Sequence, residues 1–117
     1  MNNRNVGRDG EKLAEKYLTG KDFKIIDRNF HFGRLGEIDI IAEDQDEIVF
    51  VEVKYVKSLD FGFPESRITS SKKSKLRKAA EGWLHENSFY DHPCRFDVIG
   101  IIHVEKEPEI KHFINAF

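Results

Sequence analysis

The chain has 117 residues, of which 34% are charged and 39% are hydrophobic, and its formal net charge is −2. This length predicts one domain spanning residues 1–117, and the near-neutral charge excludes a strongly basic tail that binds nucleic acid. The single cysteine, Cys94, excludes an internal disulfide and a cysteine-rich zinc site. Because no apolar stretch has the length of a signal peptide or a membrane span, we expect a cytoplasmic protein with no membrane partner.

Hydrophobic periodicity and turn residues predict seven elements in the order αβββαββ. They are a helix over residues 6–19, strands over 23–30, 37–43 and 48–56, a helix from a cap at Thr69 or the two following serines to about Asn87, and strands over 95–104 and 110–116. This order predicts an α+β fold in which helices flank a mixed sheet.

The hairpin of the second and third strands carries the most informative pattern. With a two-residue turn at its tip, the hairpin pairs residues whose numbers sum to 91, so Asp39 lies opposite Glu52 and Glu37 opposite Lys54. Strand alternation then gathers these four polar side chains on one face. The other face is predicted to be apolar and to hold Ile38, Ile40, Ala42, Val49, Val51 and Val53.

Two carboxylates that face each other across a strand pair repel, so this arrangement costs stability unless something compensates for it. A divalent cation between Asp39 and Glu52 would do so, and two carboxylates, a backbone carbonyl and water suit Mg²⁺ or Mn²⁺. In the alternative interpretation, these residues form the solvated face of a hairpin, with Lys54 screening the acids.

The second predicted helix is rich in lysine and arginine. Lys72 shares a helical line with Leu76, Ala79 and Trp83, which directs it toward the sheet, either to an anionic partner or as a lysine covering apolar surface. Contacts to a phosphate backbone are expected from Arg34, Lys73, Lys75, Arg77 and Lys78, together with Arg4 and Arg8. Phe61 and Phe63, in the connection over 57–69, would stack on bases or anchor that connection.

Twelve residues separate Asp39 from Glu52, which is followed by Val53 and Lys54. This spacing resembles the signature of the PD-(D/E)xK nuclease superfamily, with Ile38 in place of its proline. The whole chain is similar to the bacterial YraN family, relatives of archaeal Holliday-junction resolvases. The stretches that carry this resemblance span residues 7–102 and are GRDGEKLAEKYL, RNF, GEIDIIAED, VFVEVK, the FGFP loop followed by Lys72, and RFDVIGI.

The resemblance implies a restriction-endonuclease-like, or resolvase-like, sheet and a role for each matching residue. Asp39, Glu52 and the carbonyl of Val53 would be metal ligands, and Lys54 the catalytic lysine. Glu11 would be the additional acid of resolvase-like nucleases, although an acid there can also simply favour the helix dipole.

These expectations combine into a Mg²⁺- or Mn²⁺-dependent deoxyribonuclease that hydrolyses phosphodiester bonds, with branched or recombining DNA among its substrates and Lys72 as a further catalytic residue. The pattern is compatible with a homodimer. The alternative is a nucleic-acid-binding module that keeps the nuclease fold without turnover.

Overall fold

The structure is a computed structural model that describes residues 3–34, 36–57 and 68–117, with side chains from Asp9 onward. All seven predicted elements are present, with bounds that differ from the prediction by at most three residues. They are α1 (Asn3–Gly20), β1 (Lys24–His31), β2 (Glu37–Asp44), β3 (Glu47–Val56), α2 (Ser70–Glu86), β4 (Cys94–Ile102) and β5 (Glu109–Phe113). None of the described helices is long and apolar enough to cross a membrane.

The five strands form one mixed sheet in the order β1–β2–β3–β4–β5. β3 and β4 run parallel, and every other neighbouring pair is antiparallel. Parallel neighbours need a crossover connection, which α2 supplies between β3 and β4. The predicted α+β fold is therefore confirmed.

The two helices cover opposite faces of the sheet. The α1-side core consists of the buried residues Ala14, Leu18, Phe23, Ile40, Ala42, Val49, Val51, Ile99 and Ile101. The α2-side core consists of the buried residues Ile38, Ile41, Ile48, Phe50, Leu76, Ala79, Ala80 and Trp83. Strand alternation divides β3 between them, so its backbone is fixed from both sides.

The β2–β3 hairpin has the predicted register over part of its length. The pairs run from Asp44–Glu47 at the turn to Ile40–Val51, and their numbers sum to 91. The pairing ends there, so the expected pairs Asp39–Glu52 and Glu37–Lys54 are wrong as ladder positions. The reason is local, since the N–H of Val53, which would continue the ladder, donates instead to Asp39 Oδ2 at 2.8 Å.

The placement of Ile38 also departs from the prediction. Alternation assigned Ile38 to the same face as Ile40, but Ile38 packs in the α2-side core beside its β1 partner Phe30. Alternation fails because β2 has left β3 at this point and because Asn29, next to Phe30 on β1, has a left-handed backbone with φ 49°. The face-switch leaves Asp39 at the end of the paired region.

A buried charged network gives the RFD stretch a structural role that the sequence did not suggest. Asp97 on β4 is fully buried, and its carboxylate accepts hydrogen bonds from Arg95 at 2.9 and 3.2 Å and from the backbone N–H of Asn115 at 3.0 Å. His112 Nε2 on β5 lies 2.6 Å from the same carboxylate. Arg95 also donates to Glu47 and to Asp44, so the hairpin turn, β4 and β5 are joined.

Burial alone would raise the pKa of Asp97, but the hydrogen bonds from His112, Arg95 and Asn115 outweigh burial and lower that pKa. A lowered pKa in the folded state means that this carboxylate stabilises the fold above its unfolded pKa of about 4. The contribution is lost as the pH falls through the lower, folded value.

We therefore expect Asp97→Asn to reduce the free energy of unfolding at pH 7 by about 3 kcal/mol, because buried cationic and N–H donors lose their charged partner. In urea titrations, this deficit should narrow below about pH 4, where the unfolded wild-type chain takes up the proton that folded Asp97 resists. Asp46→Asn, at the exposed turn, is the matched control and should change little. An equal deficit at pH 7 and pH 3 would contradict this interpretation.

Candidate functional site

The predicted polar residues lie where β2 and β3 separate. Asp39 comes from β2, while Glu52 and Lys54 come from β3 two residues apart. Glu11 reaches this point from α1 and Lys72 from the first turn of α2. Side chains from both faces of the sheet therefore meet at the opening between the two strands, which we call the cleft site.

Glu52 is the most deeply buried acid of the cleft site, with only 6% of its side chain exposed. Its Oε1 lies 3.8 Å from Lys72 Nζ and 4.0 Å from Lys54 Nζ, distances of ion pairing rather than of direct hydrogen bonding. Its Oε2 is buried and has no hydrogen-bond partner among the described residues. A buried carboxylate oxygen without a donor is costly, which marks this atom as one that a ligand would satisfy.

The position of Lys72 confirms the helical phase predicted for α2. Thr69 caps the helix, and its Oγ1 accepts the N–H of Lys72 at 3.1 Å. Leu76, Ala79 and Trp83, on the same helical line, are buried against the sheet. The cap and the buried line together place the Lys72 amine beside Glu52, with 40% of the Lys72 side chain exposed.

Asp39 organises the backbone of the cleft site. It accepts the Val53 N–H at 2.8 Å, and the Glu11 carboxyl lies close enough to interact with it electrostatically. The N–H and C=O of one strand residue point to the same neighbour, so the Val53 carbonyl also faces β2. It lies beyond the last β2–β3 pair, where no ladder partner takes it.

The acids of the cleft site are held near one another against electrostatic repulsion. Burial raises the pKa of Glu52 to about 7, and the charge of Asp39 adds to this effect while Lys72 and Lys54 oppose it. Burial likewise raises the pKa of Glu11 to about 7, with Asp39 and Glu37 contributing. The pKa of Asp39 is raised by burial as well. Burial and the mutual repulsion of these acids both favour their protonated forms, and a positive charge placed among them would oppose that effect.

The donor set fits a small hard cation that keeps part of its water shell. Two carboxylates, Asp39 and Glu52, and the Val53 carbonyl offer oxygen ligands only, as Mg²⁺ prefers. In the part of the chain that the structure describes, no three His, Cys, Asp or Glu side chains are grouped closely enough to hold a metal ion. A cation here would therefore depend on the carbonyl, on water and on substrate oxygens in addition to the acids.

The residues predicted to contact nucleic acid lie on two flanks of α2. On one flank the loop after β1, which carries the exposed Arg34, packs against α2, and a Cβ at Gly36 would lie 3.5 Å from Lys75. Lys75 and Lys78 are exposed on this side. The predicted contacts of Arg4, Arg8, Phe61 and Phe63 lie outside the described side chains and residues.

On the other flank, the structure shows an aromatic contact that the sequence did not predict. The Phe117 ring stacks on Phe96 with centroids 5.0 Å apart. Lys73 Nζ and Arg77 Cζ lie 5.7 and 5.4 Å from the centre of the Phe117 ring. These two cations are thus partly engaged within the protein, unlike Lys75 and Lys78.

Sequence reasoning missed Asn29 of β1, which contacts the acids of the cleft site. Its amide nitrogen lies 3.2 Å from Glu11 Oε1 and 3.1 Å from Glu37 Oε1 when the amide is oriented to pair donor with acceptor. The RNF stretch contains this residue, but regular alternation gave no reason to select it. The signal lies in the left-handed backbone at position 29, which a sequence pattern does not reveal.

Comparison with known proteins agrees with the predicted family. The uncharacterised protein family UPF0102 matches residues 10–101 of the chain. A UPF0102 protein of Syntrophomonas wolfei is 44% identical over 115 residues, covering 98% of this chain and 99% of the relative. A UPF0102 protein of Clostridioides difficile is 42% identical over 117 residues, covering the full length of both.

Because burial raises the pKa of Glu52 above its ordinary 4.5, the ionised side chain should destabilise the fold in the absence of a cation. The penalty is absent below about pH 4, grows as the pH rises from the unfolded pKa to the folded one, and is complete above about pH 7. Glu52→Gln should therefore increase the free energy of unfolding at pH 8 in chelator by about 3 kcal/mol.

Urea titrations at pH 4 and pH 8 would measure this gain, which should be present only at the higher pH. Glu107→Gln, in the exposed turn after β4, is the control for loss of one negative charge. A Glu52→Gln protein that is less stable than wild type at pH 8 would show that the ion pairs to the two lysines outweigh burial.

Proposed function

We propose that this chain, which belongs to the uncharacterised protein family UPF0102, is a metal-dependent nuclease that hydrolyses phosphodiester bonds in DNA. The observation that carries the proposal is the buried Glu52 carboxylate, which lies beside Asp39 and two lysines. One of its oxygens has no hydrogen-bond partner among the described residues. Membership of this family, and the similarity of Asp39, Glu52 and Lys54 to the PD-(D/E)xK signature, also support the proposal.

Asp39, Glu52 and the Val53 carbonyl would hold Mg²⁺ or Mn²⁺. When bound, the cation would neutralise charge on the scissile phosphate and lower the pKa of a coordinated water. Folding already brings these acids together, because it buries Glu52 and fixes Asp39 through the hydrogen bond from the Val53 N–H. Glu11, which lies beside Asp39, would help to keep the Asp39 carboxylate turned into the cleft site.

The two lysines would divide the work of orienting the water and neutralising the phosphate. The Lys54 amine lies 4.0 Å from Glu52 on the same strand and is partly exposed, so it would donate a hydrogen bond to the attacking water. Lys72 approaches Glu52 from α2, and its amine would contact a nonbridging phosphate oxygen. The water oxygen would bond to phosphorus and lose a proton to solvent. The bond from phosphorus to one sugar oxygen would break, and the departing oxygen would take a proton from solvent.

The exposed flank of α2 would bind the phosphate backbone on either side of the scissile bond. Arg34, Lys75 and Lys78 point outward, and no described residue forms a salt bridge with them. Phosphate contacts of this kind position the nucleic acid without reading its sequence. We therefore propose DNA of many sequences as the substrate class, with branched and recombining DNA included.

Purified wild-type protein should cleave at least one of three DNA substrates, a four-way junction, a duplex or a single strand, with Mg²⁺ or Mn²⁺. Glu52→Gln and Lys54→Met should each reduce the cleavage rate by at least about a hundredfold, since each removes a group that acts on the reacting phosphate. Glu107→Gln and Lys106→Met, both exposed, are the charge-matched controls.

A variant of Glu52 or Lys54 that cleaves at the wild-type rate would show that the activity does not come from the cleft site. Binding of DNA by wild type without cleavage under all of these conditions would favour the alternative, a binding module that keeps the nuclease fold.

The lysines of α2 provide a test within one helix. Lys72→Met should lower the cleavage rate at saturating DNA, because the amine beside Glu52 is lost. Lys78→Met should leave that rate close to wild type and instead weaken DNA binding, reducing the slope of affinity against salt concentration by about one phosphate contact. Equal effects of the two variants in both measurements would show that α2 does not present Lys72 to the substrate.

A further inference from the structure

Asn29 stands at the meeting point of three acids. It lies on β1 between the Arg28–Ile40 and Phe30–Ile38 pairs, which places it across from Asp39. Its amide nitrogen lies within hydrogen-bonding distance of Glu11 Oε1 on α1 and Glu37 Oε1 on β2. The opposite amide orientation would set a carbonyl oxygen against two carboxylates, so chemistry selects the donor orientation.

The position makes two demands that few residues meet together. Its backbone is left-handed, with φ 49°, which glycine, asparagine and aspartate tolerate best. Its side chain must also offer two N–H donors to two carboxylates. Glycine has no donor, and aspartate would bring a further negative charge. Asparagine satisfies the backbone and both acceptors.

The amide is also suitable because it is neutral. A lysine or arginine here would attract Glu11 and Glu37 more strongly, but it would cancel the negative charge that a cation requires. An amide fixes the direction of the two carboxylates and leaves their charge in place. Outer hydrogen bonds of this kind orient the acids around metal sites in proteins.

We propose that Asn29 is a positioning residue, whose amide holds Glu11 and Glu37 in place so that Glu11 stays against Asp39. That this arrangement prepares the protein for a divalent cation rests on the proposed function, whereas the contact between Asn29 and the two glutamates does not. The two parts are tested by different measurements.

The contact is tested by thermal unfolding in chelator at pH 8. Asn29→Asp tolerates the backbone but replaces a donor by a fourth carboxylate, so its melting temperature should fall by at least about 3 °C. Adding Glu37→Gln reverses donor and acceptor between the two positions and should restore at least half of the loss. Absence of the loss, or of its recovery in the double variant, would overturn the contact.

The positioning role is tested by titration of the protein with Mn²⁺ alone, followed by calorimetry, with no DNA present. Asn29→Gly tolerates the left-handed backbone and removes the side chain with its amide, so its Mn²⁺ affinity should be at least about tenfold weaker than that of wild type. Asn115→Gly, at an exposed position with φ 55° beyond the end of β5, is the matched control and should bind as wild type does.

Equal Mn²⁺ affinity of Asn29→Gly and wild type would overturn the positioning role. Failure of wild type itself to bind Mn²⁺ would overturn both the proposed function and the preparatory role of Asn29, and the chelator series would still decide the contact. The cleavage rate of Asn29→Gly, with Mn²⁺ raised until each protein is saturated, should recover to within about threefold of wild type, because the amide acts through the acids rather than on the phosphate.

Discussion

The rest of the cleft site depends on one diverted backbone hydrogen bond. The Val53 N–H donates to the Asp39 carboxylate at 2.8 Å instead of continuing the β2–β3 ladder. This bond satisfies a buried donor while allowing the two strands to separate. The separation leaves room for side chains from α1 and α2 at the end of a sheet that is otherwise continuous. A regular hairpin with the same residues would have paired the strands and closed the opening.

The acids of the cleft site destabilise the fold, whereas a second buried carboxylate, that of Asp97, stabilises it. Glu52 is buried with an oxygen that has no hydrogen-bond partner among the described residues, whereas both oxygens of Asp97, which is fully buried on the neighbouring strand, are paired. The difference between the two carboxylates is instructive. Asp97 accepts hydrogen bonds from donors near it in the sequence and at the end of β5, and so stabilises the fold. Glu52 has an oxygen that is still able to bind a ligand. Burial alone therefore does not distinguish a structural acid from a functional one.

The sequence predicts most of the fold because its signals are local. A two-residue turn fixed the hairpin register as far as Ile40–Val51, and helical phase correctly directed Lys72 to the sheet. Where a backbone departs from regular geometry, such signals fail. Ile38 changes face and Asn29 enters the site through a left-handed backbone, and neither event has a marker in a periodic pattern. The RFD stretch was visible but had no interpretation, since its partners on β5 and in the hairpin turn are distant in sequence.

The contact between Gly82 and Phe32 has a consequence for how accurately the site is aligned. A Cβ at position 82 would lie 2.5 Å from carbons of the Phe32 ring, so the ring rests directly on the backbone of α2. Lys72 lies ten residues earlier, about 15 Å along the helix axis. A methyl group at position 82 would have to displace either the Phe32 ring or α2, and a shift of the helix would carry the Lys72 amine away from Glu52. The position of the Lys72 amine relative to Glu52 thus depends in part on a packing contact three helical turns away.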